Sequence, residues 1–273
     1  MTEKSKKIEP DNGLRQFLRH ALAPVSSAAG SAVGLGLGAI AFPGAEAIGQ
    51  VLGSSVGPVL TGLGQDIWER YLSPSEKQRL GTVLGVMVTE IHRRLENGES
   101  LRDDGFFDKK LGDRSDAEEV AESVLLKVRN EPEEKKIPYM GFLGASTAFD
   151  PEVGVLMAHQ LTKAAEGLTY RQFCILKLCV DKEKYQLRDQ HYRDPTISDR
   201  SLYPILHECH HLYHSGLIYH KGSLAFGGSQ VFVPTDLTPR DMILNGLGVD
   251  LYHLMRLCLI PDAEIAPIAE QLK

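Results

Sequence analysis

Paired thiols are missing from this chain. Its four cysteines, Cys174, Cys179, Cys209 and Cys258, are scattered and form no C-x-x-C pair, which excludes a zinc ribbon or a thioredoxin-like redox centre. Each lies in an apolar, helix-like run and is expected to be a buried thiol in a reducing cytoplasm. No G-x-x-x-x-G-K-[ST] loop and no G-x-S-x-G elbow occurs, and Gly34, Gly36 and Gly38 lack the preceding strand and following lysine of a phosphate cradle. Positive charge is in short supply: 30 Lys and Arg stand against 36 Asp and Glu, a net charge of −6, which argues against the basic field of a dedicated nucleic-acid binder. The opening MTEKSKKIEPDNG lacks the basic-then-apolar order of a signal peptide, so the expected location is cytoplasmic, with the mature start where the gene starts. Asp103-Asp104 and Glu118-Glu119 read as solvated charge. The residues point to no enzyme and no cofactor.

What is present is an apolar island, Pro24 to Gly64. Between Arg19 and Asp66 the only charged residue besides His20 is Glu46, in a chain that is 24% charged. Small residues recur every fourth position, Gly30, Gly34 and Gly38, then Ala45, Gly49, Gly53 and Gly57. On a helix that spacing puts them on one face, where another backbone can come close. Pro43-Gly44 separates the two runs and supplies a turn, so the segment reads as a glycine-zipper helical hairpin. Arms 24–42 and 45–64 would each rise roughly 28–30 Å, against a hydrocarbon core of about 30 Å. The strong apolar residues of the first arm total only roughly −3 kcal/mol of insertion free energy, so insertion would be conditional. In water the glycines cost about 0.8–1 kcal/mol apiece, and the arms need a partner surface. A tightly packed Gly/Ala helix pair within a soluble helical domain, a membrane element and a flexible glycine-rich segment all stay open. Lysines and arginines on both flanks would keep both ends of a hairpin inserted in the inner membrane on the cytoplasmic side.

Beyond an aromatic collar at Ile67, Trp68, Tyr71 and Leu72, capping boxes mark the helix starts. Ser73-Pro74-Ser75-Glu76 opens a helix burying Leu80, Leu84, Met87, Ile91 and Leu95 and closing at Asn97-Gly98. Residues 99–114 form a charged loop tacked down by Phe106 and Phe107. Ser115 to Glu118 opens the next helix, with Val120, Val124, Leu125 and Val128 inside, and EPEEKK at 131–136 reads as a solvated connector. One helix precedes Asp150-Pro151, which is expected to cap a second ending at Gly167. Thr169 to Gln172 caps a helix burying Phe173, Ile175, Leu176 and Leu178. A polar loop leads to a helix from Ser201 to Gly216, then a strand at Leu217 to His220, a β-prone run ending at Val233, and a last long helix capped by Thr238-Pro239 that holds Met242, Leu247, Leu251, Leu254, Met255 and Cys258. Helix, helix, strand pair, helix is the order of a winged-helix module.

His207-Glu208-Cys209-His210-His211 formally matches H-E-x-x-H, in which two histidines hold zinc and the glutamate is the base. On a helical wheel Leu202, Ile205, Leu206, Cys209, Leu212 and Tyr213 take one side, and His207, His211 and His214 fall opposite. A solvated polar face is therefore expected, with His207, His211 and His214 the only candidate metal ligands and a candidate pH-sensitive patch. As a recognition helix for DNA this stretch offers one fixed positive charge, Arg200, so nucleic acid is an unlikely partner and a protein partner suits it better.

The block IPYMGFLGASTAFDPEVGVLMAHQLTKAAEGLTYRQFCILKL, with the later HLYHSGLI and LTPRDMILNGLGVDLYHLMRL, resembles uncharacterised bacterial proteins similar in layout to the Abi-alpha type, some associated with abortive infection by phage. The resemblance covers roughly residues 110–260 and implies a defence or stress role; it carries no site residues. The expected fold is mainly α: a Gly-rich helical hairpin (1–72), a helical bundle (73–167) and a C-terminal winged-helix-like α+β module (168–273). The expected function is a non-enzymatic, membrane-associated effector oligomerising through Gly30, Gly34, Gly38, Gly49, Gly53 and Gly57, with a soluble winged-helix regulator or adaptor as the alternative.

Overall fold

The computed structural model describes residues 72–110, 114–192, 200–220 and 233–273. The expected hairpin, its six zipper glycines and most of the aromatic collar lie outside the described residues, as does most of the β-prone run before Val233. The described residues are mainly helical, with eight α-helices and one two-stranded sheet among them. The chain divides into two units, Met1–Lys163 and Ala164–Lys273.

In the first unit, α1 (Pro74–Glu96) starts as its sequence dictates. Ser73 Oγ accepts the Glu76 N–H at 3.3 Å and Glu76 returns the bond to the Ser73 N–H at 2.7 Å, satisfying two of the amides that a helix start leaves open. The middle of α1, Val83 to Val88, is buried all round, wider than the single stripe expected, and Leu95 is only half-buried. A helix apolar on every side is a central helix. α2 (Asp116–Arg129) repeats the capping box at Ser115 and Glu118 and buries the expected valines and leucine with Ala117 and Ala121. α3 (Ile137–Ser146) lies closely on α1: a Cβ added at Gly141 would come within 2.8 Å of the Val86 side chain, and one at Gly144 within 2.9 Å of Met87. Close packing through paired glycines thus occurs between α1 and α3.

Two expectations in this unit are corrected. The 131–136 run is not a uniformly solvated connector: Lys136 and Glu131 are buried and ion-paired at 2.5 Å, the arrangement a buried charge requires. Asp150-Pro151 does not cap a helix; it lies in a turn, and α4 (Val155–Gly167) begins later. That turn is held by Arg102, whose guanidinium donates to the carbonyls of Thr147, Asp150, Pro151 and Val153, pairs with Asp104 and lies 4.2 Å over the Phe106 ring. Carbonyls engaged this way are not arranged as a helix start. Phe106 is buried, as expected for the residue tacking the loop down.

In the second unit α5 (Tyr170–Asp181) is the buried centre, capped by Thr169 and Gln172 and burying every residue from Gln172 to Cys179. α6 (Leu202–His214) starts after Ser201 and ends before Gly216 at φ +70°, a left-handed position that suits glycine. β1 (Ile218–His220) pairs antiparallel with β2 (Met242–Leu244), Ile218 opposite Leu244. The expected long last helix is therefore corrected. Pro239–Asp241 is a 3-10 turn, Met242 is in a strand, and α7 (Leu247–Leu254) begins only after Gly246 at φ +45°. Arg256, left-handed at φ 53°, separates α7 from a 3-10 turn at Leu257–Leu259, and α8 (Asp262–Gln271) follows. A helical window around 238–258 hides these two left-handed breaks because the apolar spacing runs through them.

Candidate functional site

α6 carries the chemistry-bearing cluster. Its apolar side, Leu202, Ile205, Leu206, Cys209 and Leu212, is buried, which turns His207, His211 and His214 to the exposed face, as the wheel requires. The H-E-x-x-H constellation is taken apart by its neighbours. The Glu208 carboxylate receives Arg171 Nε at 2.5 Å and Nη2 at 3.1 Å, and the Thr169 hydroxyl at 3.1 Å. It clamps α6 to the start of α5, so it is not placed as a base. His211 Nδ1 meets the Gln172 side-chain amide at 3.0 Å, and His207 leans on the Tyr203 ring at 6.4 Å. His214 does not meet either of these histidines. Its Nε2 lies 2.9 Å from Nε2 of His210, with the two rings edge to face at 4.2 Å. Among the described residues no group of three or more His, Cys, Asp or Glu is placed to hold a metal ion.

A second polar cluster secures β1. His220, the last residue of β1, is fully buried, and its Nε2 accepts the Thr238 N–H at 2.9 Å. Burial holds its pKa below the ordinary value, against the raising influence of Asp241 and Asp236. Beside it His191 Nδ1 donates to the Asp236 carbonyl at 2.6 Å and lies 3.2 Å from the Thr238 hydroxyl. Next in sequence, Tyr192 is buried, which pushes its pKa up to about 12. Across the unit, the buried Lys177 ammonium donates to the Ile260 carbonyl at 2.6 Å and to Asp262 at 2.7 Å, with Asp181 at 3.5 Å. Desolvation pulls its pKa down, but the hydrogen bond and charge of Asp262, with Asp181, outweigh this and raise it.

The histidine spacing was legible from sequence, but the partner of His214 was not. His210 lies three residues after His207 and four before His214, and it meets His214 while His211 is turned to Gln172. The buried roles of Lys177 and His220 carry no motif. Lys177 could have been found as a charged residue inside the apolar run FCILKLCV.

The cysteines divide. Cys174, Cys179 and Cys209 are buried as expected, and burial pushes Cys179 up to about 12 and Cys209 well above the usual thiol range. Cys258 is exposed, a correction to the expectation: the break at Arg256 turns it off the buried side of α7.

Among the described residues no helix is long and apolar enough to cross a membrane. No known protein family, curated protein or solved structure matches this chain.

Proposed function

We propose that this chain is a non-enzymatic, membrane-associated effector of a bacterial defence or stress response, in which the 24–64 segment self-associates through Gly30, Gly34, Gly38, Gly49, Gly53 and Gly57 and the C-terminal unit docks a partner protein. The observation that carries it is the island itself, 41 consecutive residues with one charge and small residues every fourth position. The use of Glu208 as a clamp supports the non-enzymatic part of the reading, since the one catalytic motif in the sequence has no base to offer. Replacing Gly34 and Gly53 with leucine separates the two roles of the segment. Leucine favours insertion by about 0.3–0.6 kcal/mol per residue but fills the groove. The variant should stay on membranes and lose self-association in a cross-linking assay. Cross-linking identical to that of the unchanged chain would remove the zipper.

The second reading is a winged-helix regulator or adaptor, supported by the order α5, α6, β1, β2, α7. α6 carries no lysine or arginine, and Arg171 at its side is paired with Glu208. This favours a protein partner over DNA, whose phosphates need such charges. Binding to duplex DNA that weakens steeply with salt would reverse that preference.

A further inference from the structure

We propose that His210 and His214 form a two-histidine chelate for a divalent transition-metal ion, copper(II) or zinc, on the last turn of α6. The pair is independent of the island and of the effector reading. Three observations point to it. The rings stand at i and i+4 on one helix, so the backbone fixes their separation before any ion arrives. Their Nε2 atoms face each other at 2.9 Å. Tyr213 packs edge-on against the His214 ring at 5.4 Å, which steadies its position.

The 2.9 Å separation matches a metal bite. Two nitrogens each about 2.0–2.1 Å from a metal lie about 2.9 Å apart when they take neighbouring corners of a square plane, and about 3.3 Å apart in a tetrahedron. The observed spacing is that of the square-planar preference of copper(II), and zinc requires the rings to part by about 0.4 Å. A turn about each Cβ–Cγ bond, which is a soft torsion, brings both lone pairs onto a shared ion. With both rings neutral, one Nε2 carries the hydrogen and the other accepts it. Binding moves that hydrogen to Nδ1 of the same ring and frees both Nε2 atoms. The ion would sit at the C-terminal end of α6, where the helix dipole favours positive charge. Neighbouring histidines do not complete a triad: the His207 ring is 6.3 Å from His210, and His211 is turned to Gln172. Water fills the remaining positions.

The test is calorimetric titration of the full chain with copper(II) and zinc ions in a non-chelating buffer. The comparison is with H214A, H210Q and the double variant H207A/H211A. His214 is exposed, so H214A leaves the fold intact, and far-UV circular dichroism verifies this. The expected result is one saturable ion per chain, weakened at least about tenfold in H214A and in H210Q, with H207A/H211A unchanged within about twofold. Absence of saturable binding at millimolar ion, binding by H214A equal to that of the unchanged chain, or a loss that follows H207A/H211A instead would each overturn the proposal.

Discussion

Gly248 tests the packing of the second unit most sharply. It lies in the first turn of α7, and a Cβ there would stand 1.9 Å from the Leu217 carbonyl oxygen and 2.8 Å from its carbon. These are backbone atoms at the entry to β1, with no rotamer to yield. The same oxygen accepts the Asn245 N–H at 3.0 Å, so moving it breaks the tie between the start of β1 and the end of β2. In Gly248→Ala, overpacking costs about 1–3 kcal/mol, and the hydrogen bond about 1 kcal/mol. Alanine's better helix propensity returns about 1 kcal/mol. The net is a loss of about 1–3 kcal/mol, opposite in sign to what propensity alone dictates. Gly81→Ala in α1 is the matched control: its Cβ meets nothing within 4 Å among the described residues, so it should gain about 0.5–1 kcal/mol. Urea unfolding followed by far-UV circular dichroism reads both, and native-state exchange of the β1 and β2 amides localises the first. Gly248→Ala as stable as the unchanged chain, with unaltered exchange, would refute the reasoning.

Other outcomes follow from charge and burial. Glu131→Gln removes the carboxylate charge paired with the buried Lys136 ammonium and should cost about 3–5 kcal/mol, whereas the double replacement Glu131→Leu with Lys136→Met should cost far less; equal losses in the two variants, measured by urea unfolding, would count against the pair. His220 has a folded pKa depressed by burial below its ordinary 6.5. The unfolded chain therefore binds the extra proton first, and stability from this group is present above about 6.5 and lost as pH falls below it. Replacing His220 with glutamine should flatten that part of the stability–pH curve, and an unchanged slope would sink the assignment. Of the four thiols, Cys258 alone is exposed, so a thiol reagent should titrate one rapidly in the native chain and four after denaturation; fast reaction of Cys209 would contradict its burial.

Local signals were readable in the sequence wherever a single turn of chain decides the outcome. All three capping boxes, at Ser73, Ser115 and Thr169, form as their residue types dictate, because each is closed by side chains three residues away. The α6 wheel held for the same reason. Tertiary partners were not readable. Nothing local tells that Lys136 meets Glu131 out of water, that Arg102 gathers four carbonyls across the chain, or that His211 meets Gln172. The last helix departs from its sequence pattern because Met242, Leu247 and Leu251 keep an apolar spacing through Gly246, which has a positive φ, while Met242 pairs with His220 of β1.

The proposed function rests on the island, and fractionation of cells expressing the full chain tests it most directly, with an alkaline wash of the membranes and a parallel chain lacking residues 24–64. The effector account predicts that the full chain stays in the washed membrane and the shortened chain does not. Release of the full chain into the soluble fraction would contradict it.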